Sequence, residues 1–471
     1  MKPLTRLSPR LSALSHNCNL YFFPRTGIAW CVSVRSFDHI VQRLRATAER
    51  LPDGRTGDNL RYTMADIALS GFSVFFIQSP SFLSFQQDME TARGHNNARS
   101  LFQIQRIPTD NHIRDVLDPV APDHLFPLFD DLHQAFDQHG LLAAMRAVQQ
   151  TRLIALDATW YFSSKNIHCP QCSRIEHANG QITHFHSAIT PVIVSPGHSQ
   201  VVPLRPEFIR PQDGHTKQDC EIVAAKRWLA AHSTRYHTGN DTFLADDLYA
   251  HQPFCRQVLL HGYHYFFNCK PASHAYLFTW VEALEAGHGR HELKLRVKSK
   301  ANRWEHHHYR WANGVPLTDS QDALKVNWCE VTITDPEGTV RYRNSFITDW
   351  TLSADNVAGW VAAGRARWKI ENENNNVLKT KGYHLEHNFG HGQKHLAALL
   401  LTMNLLAFAL HTLLEVTDDS YQLIRKKVGA RRKFFEHLRT LTTYLHFGTW
   451  AALLDFMMKG LEIGPYAGEK S

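Results

Sequence analysis

At 471 residues the chain is too long for one ordinary domain, and two to four folded units are expected. Apolar residues at 43% against 20% charged describe a folded globular protein and exclude a largely disordered one. Lys and Arg outnumber Asp and Glu by 51 to 44, a surplus that suits a polyanionic partner without requiring one. Of the eight Cys only Cys169 and Cys172 form a tight pair, which excludes a secreted disulfide framework and fits a reducing cytoplasm.

Residues 1–36 read as an atypical basic extension, because Asn17, Asn19, Pro24 and Arg25 break every apolar run that could serve as a signal-peptide core. Helical spacing dominates 37–150, starting at Phe37 and again at Met64, so this stretch is expected to be a helical domain. At Leu153 the pattern changes to short apolar runs. Leu153 to Asp157 reads as a buried strand ending in a carboxylate, and Ile182–His186 and Pro191–Val194 read as two more, with a tight turn at Asn179-Gly180 before them. Lys217–His232 has helical spacing, Thr242–Ala245 is a strand ending at Asp246, and Gly262–Cys269 supplies another. That order predicts a mixed α/β (α+β) fold with a ribonuclease-H-like core over 151–281 and 351–415. Alternating residues such as His291–Lys298 and Val331–Ile333 predict a β-rich insertion over 282–350. Leu396–Leu414 is interrupted by Thr402, Asn404 and His411, and reads as a buried core helix rather than a membrane span; 416–471 forms a C-terminal helical region.

Asp157 and Asp246 both end apolar strands, where an unpaired carboxylate is costly unless it faces a cation or a polar cleft. Glu371 follows Arg367 by one helical turn, so the guanidinium can position the carboxylate. Acids brought to one point from separate elements are what Mg²⁺-dependent phosphoryl transfer needs. Asp247 and Glu373 are the rivals of Asp246 and Glu371. Asp246 directly follows the strand, and on an ideal helix Glu373 points about 200° away from Glu371.

Leu156-Asp157-Ala158-Thr159, Leu244-Ala245-Asp246-Asp247-Leu248-Tyr249 and Arg367-Trp368-Lys369-Ile370-Glu371 resemble the insertion-sequence DDE transposases, in the branch with a Tyr/Arg/Glu/Lys signature. The separations of 89 residues (246 minus 157) and 125 residues (371 minus 246) suit that branch. The resemblance implies a catalytic triad of Asp157, Asp246 and Glu371 holding two Mg²⁺ (or Mn²⁺) ions, and terminal inverted repeats and target DNA as partners. It also implies DNA binding or dimerisation by the helical domain 37–150, a homodimer on DNA and a cytoplasmic, nucleoid-associated bacterial protein. Arg367 and Lys379 are then expected DNA contacts, and Trp304 or Trp311 is expected to stack on an unpaired base. Two positions depart from the signature: Gly364 stands where it has Tyr, and Leu378 where it has Lys, with Lys379 one residue late. A decayed, zinc-stabilised DNA-binding derivative and a metal-dependent nuclease are the competing readings.

Cys169, Cys172, His184 and His186 offer a Cys2His2 set for a structural zinc on the predicted hairpin, His184 and His186 sharing one strand face. The basic runs Arg425–Lys427 and Arg431–Lys433 are either DNA-facing or simply solvated.

Overall fold

The computed structural model describes residues 35–57, 60–211, 221–286, 288–299 and 301–468; residues 1–34 of the expected extension, and Lys217–Cys220 at the start of an expected helix, lie outside them. The N-terminal helices are α1 (Arg35–Ala48), α2 (Met64–Phe76), α3 (Phe82–Glu90), α4 (Ala92–Phe102), α5 (Asp110–Leu117), α6 (Pro127–Gln138) and the single turn α7 (Leu141–Ala144). Four of them start where a hydroxyl accepts the N–H three residues on: Thr63 at α2, Ser81 at α3, Thr91 at α4 and Thr109 at α5. Every residue of α2 is buried, which makes it the spine of this region.

The strands follow as β1 (Arg152–Ala155), β2 (Ala158–Ser164), β3 (Ser173–Glu176), β4 (Ile182–Ile189), β5 (Val192–Val194), β6 (Val202–Pro203) and β7 (Glu207–Ile209). Helix α8 (Glu221–Tyr236) leads to β8 (Asp241–Ala245), α9 (Gln252–Leu260) to β9 (His264–Asn268), and α10 (Ala275–Ala283) to β10 (Glu285–Ala286). Strands β11 (Gly289–Lys298), β12 (Trp304–Pro316), β13 (Lys325–Thr334) and β14 (Val340–Thr348) complete the β structure. Ten strands form one sheet in the order β10-β11-β12-β13-β14-β9-β8-β1-β5-β6. Within it β1 runs parallel to β8 and β8 to β9, whereas β5 and β6 are antiparallel additions. The fold is therefore mixed α/β, with a mixed sheet. The β-rich stretch over 282–350 is not a body apart: β14 pairs with β9, so the insertion lengthens the main sheet.

Ile182–His186 does not join that sheet. It lies in β4, which pairs with β2, β3 and β7 in a second small sheet, and the Asn179-Gly180 turn joins β3 to β4 with Gly180 at φ +74°.

The remaining helices are α11 (Val357–Arg365), α12 (Asn376–Thr380), α13 (Leu396–Thr417), α14 (Asp419–Val428), α15 (Arg431–Tyr444) and α16 (Trp450–Gly460). Helix α13 is long and apolar enough to cross a membrane, but most of it is buried inside the protein. Each of its polar interruptions makes one hydrogen bond there: the Thr402 hydroxyl donates to Ala398 O, Asn404 Nδ2 donates to Tyr383 O at 2.9 Å, and His411 Nδ1 meets the Tyr383 hydroxyl at 2.6 Å. The helices before residue 138 and those after 396 form one body rather than two. Phe37 stacks on Trp450 with centroids 4.5 Å apart, and buried Asn97 donates to Thr442 O and Leu445 O at 2.6 Å each while accepting from Phe447 N at 2.8 Å.

Candidate functional site

Ala155 on β1 pairs with Leu244 on β8, and Leu156 N donates to Leu244 O at 2.9 Å. Asp157 and Asp246 each stand two residues past that matched pair, at the same end of two adjacent parallel strands. The apolar run ends there because the chain turns: Asp157 O accepts Thr190 N at 3.1 Å as β1 gives way to β2, and Asp246 Oδ1 accepts Leu248 N at 3.0 Å as a short 3₁₀ turn begins. Glu371 lies in a wide, π-type turn over Ile370–Asn375 rather than in a regular α-helix, so the ideal-helix angle between it and Glu373 does not apply. The expected positioning contact is present, with Arg367 Nη2 donating to Glu371 Oε1 at 2.6 Å.

Asp157 is pushed from its ordinary 3.8 up to about 7, first by burial and then by the negative charges of Glu221, Glu371 and Asp246; Arg367 opposes the rise. Asp157 therefore feels three other acids, and the Arg367 guanidinium is the counter-charge. Asp247 faces elsewhere: its carboxylate accepts Lys270 N at 2.5 Å and the Ser273 hydroxyl, with His274 Nε2 3.4 Å away, which fastens the turn after β9.

Two members of this site, Asn375 and Glu221, are not singled out in the sequence. Asn375 Nδ2 donates to Asp157 Oδ2 at 3.2 Å, and its Oδ1 accepts from the Thr190 hydroxyl and from Asn374 Nδ2, both at 3.0 Å, which fixes the amide orientation. Glu221, first described residue of α8, accepts from the buried Tyr249 hydroxyl at 2.5 Å, and burial raises its carboxyl. The Asn-rich run Glu371–Asn376 is the hint that a polar network lies here.

Gly364 has a packing reason. A Cβ there would sit 2.4 Å from Phe266 Cε1 and 3.0 Å from Phe346 Cε1, so the two rings occupy the space that a tyrosine would need. Leu378 is buried, and the neighbouring Lys379 is paired with Glu386 at 2.8 Å.

The expected aromatic pair separates. Trp304 is 42% exposed and lies under Arg296, 4.4 Å from the ring centroid, whereas Trp311 is 5% exposed and stacks on His291. Trp311 is thus corrected from a base-stacking residue to a packing one. The two lie seven positions apart on β12, and an odd spacing puts them on opposite faces. Around Trp304 the face is cationic: Lys298, Arg296 and Lys294 on β11 stand opposite Trp304, His306 and His308. Of the C-terminal basic runs, Arg425 and Arg431 turn inward onto Glu415, and Lys426, Lys427, Arg432 and Lys433 are exposed.

The Cys/His centre is real but differs in one ligand from the expected set. Cys169, Cys172, His186 and His391 place one donor atom each within 4.8 Å of one another and can hold a metal ion such as zinc. His184 instead stacks on His168 at 4.6 Å, and His391 arrives from the connection before α13. Hydrogen bonding from Cys172, and then from the two imidazoles, drives the Cys169 thiol far down toward thiolate.

Compared with known protein-family models and with curated proteins, the chain finds no match.

Proposed function

We propose that the chain is a DDE transposase that cuts DNA at the ends of its element and joins them to target DNA. The observation that carries the reading is that Asp157 and Asp246 stand at the same end of two adjacent parallel strands, with Glu371 near enough for its charge to act on the buried Asp157 carboxyl. A ribonuclease-H-like core is supported by the strand order β6-β5-β1-β8-β9, three antiparallel strands followed by two parallel ones. The donors are oxygens and the local charge is negative, which fits two Mg²⁺ (or Mn²⁺) ions. When bound, such ions activate an oxygen nucleophile and neutralise charge on the phosphorus centre.

The protein's own part is positioning. Arg367 holds Glu371, Leu248 N holds Asp246, and Asn375, locked by Thr190 and Asn374, holds one oxygen of Asp157 and leaves the other free. The cationic strip Lys294–Arg296–Lys298 with Trp304 supplies phosphate contact and a stacking ring for the DNA, on which the protein acts as a homodimer.

The test uses the full chain, its element's terminal DNA and Mg²⁺. Asp157→Asn, Asp246→Asn and Glu371→Gln are each expected to lower cleavage by roughly 10³-fold or more, while end binding persists and weakens steeply with salt. Full cleavage by all three variants would refute the assignment. Cleavage without joining in the native protein would make it a nuclease instead.

A further inference from the structure

We propose that Cys169, Cys172, His186 and His391 hold one structural Zn²⁺, and that this ion clasps the small β2-β4-β3 sheet to the connection leading into α13. A tetrahedral ion with Zn–S of about 2.3 Å and Zn–N of about 2.0–2.1 Å sets its donors about 3.8 Å apart for S–S, 3.6 Å for S–N and 3.3 Å for N–N. The corresponding separations are 3.9 Å between the two Sγ atoms, and 3.6, 3.5 and 3.3 Å for Cys169–His186, Cys172–His186 and Cys172–His391. The two Nε2 atoms lie 3.1 Å apart. Five of the six edges thus match a zinc-sized tetrahedron and the sixth, Cys169–His391, is within 4.8 Å, and two thiols with two imidazoles select zinc over oxygen-loving Mg²⁺.

His391 is prepared for the role. Its Nδ1 donates to Gly392 O at 2.9 Å, which fixes the tautomer and turns the Nε2 lone pair to the cluster. Four protein ligands leave no open position, and Tyr161 and Phe162 cover the two imidazoles. The site is built for structure rather than for chemistry.

What the ion joins follows from its neighbours. The Cys pair lies in the connection from β2 to β3 and His186 in β4 of the small sheet that starts beside Asp157, and His391 belongs to a segment held by the N-terminal helices. The Asp118 carboxylate at the end of α5 accepts the N–H groups of Gln393, Lys394 and Leu396, and Arg114 donates to Phe389 O. Gly392, at φ +68°, passes so near Asp118 that a Cβ would lie 2.1 Å from its Oδ1. The ion therefore links the small sheet to the helical body across 205 residues of chain.

The experiment uses full-length protein purified without chelators, by elemental analysis, by Co²⁺ replacement followed in the visible spectrum, and by limited proteolysis with and without metal. Native protein and His184→Ala are expected to carry one zinc per chain and to give the intense bands of tetrahedral, thiolate-bound Co²⁺. His391→Ala should lose more than the roughly 10–100-fold in affinity that a lost supporting hydrogen bond costs. Stripping zinc should speed proteolysis at 384–395 at least tenfold. Native protein that holds no zinc and gives no tetrahedral Co²⁺ spectrum would overturn the site, a result that needs no variant to fold. Zinc kept by His391→Ala but lost by His184→Ala would overturn the ligand set, and unchanged proteolysis at full metal loss would overturn the clasp. None of these readouts depends on DNA cleavage, so failure here and failure of the transposase reading are separate results.

Discussion

Strands β1 and β8 lie side by side and bear acids at both ends, and the two ends treat their acids in opposite ways. At the starting end Asp241 is fully buried and fully paired: it accepts Arg152 Nε at 2.8 Å, Thr238 N at 2.6 Å, the Thr238 hydroxyl at 2.9 Å and His237 Nδ1 at 3.2 Å. Even the spare face of Arg152 is met by His133, which burial, and then the Arg152 charge, lowers to about 4 and keeps neutral. At the far end Asp157 has one amide donor from Asn375 and three acids around it. A buried carboxylate with its own cation is a structural part. One surrounded by others of the same sign stores repulsion that an external cation can relieve.

That contrast breaks most sharply at Asp241. Asp241→Asn leaves Arg152 buried without its counter-charge and is expected to cost about 3–5 kcal/mol in chemical denaturation. A loss under about 1 kcal/mol would mean that the pair is not the anchor described.

Asp157→Asn should do the reverse in metal-free protein and stabilise it by about 1–2 kcal/mol, because it removes a charge that burial and neighbours disfavour. The sign follows from proton counting. With a folded pKa near 7 against an ordinary 3.8, the native state holds a proton that the unfolded chain has released, so stability falls as pH rises from about 4 to about 7 and levels off above. The Asn variant should lack that slope. Mg²⁺ should raise the melting temperature of the native protein and leave the variant unmoved, and an equal shift in both would place the ions elsewhere.

The smallest effect is expected at Asp247, where Asp247→Asn should cost about 1 kcal/mol through the Lys270–His274 turn while leaving DNA cleavage within a few-fold. Loss of cleavage without loss of stability would move the metal ligand one residue along.

Asp157 and Asp246 were legible in the sequence because a strand is short and apolar and its end is a fixed place, so a carboxylate there already has an address. Glu371 was legible through Arg367, four residues away on the same turn. His391 was not, since its 205-residue separation from His186 leaves no local periodicity, and the alternation that paired His184 with His186 spoke only for their own strand. The Gly-His-Gly at 390–392 was the available hint, a histidine set in backbone that must pass close to something. Trp304 and Trp311 stand as alternatives in the sequence, and the odd spacing between them says only that they face opposite ways, not which of the two is the exposed one. The separate domains expected for 37–150 and 416–471 became one body because amphipathic helices announce that they need a partner, not which partner.

The stacking of Phe37 on Trp450, and the three hydrogen bonds of Asn97 to residues 442–447, set a timetable. Asn97 and Leu445 lie 348 residues apart, so at about 5–20 residues per second a ribosome needs roughly 20–70 s to deliver the second after the first. Until α13 is made, α2, buried on every side in the finished fold, has none of its eventual cover from α13 and α16. A chain truncated before α13 is therefore expected to expose the apolar surface of α2 and to aggregate, although its acidic strand ends are intact.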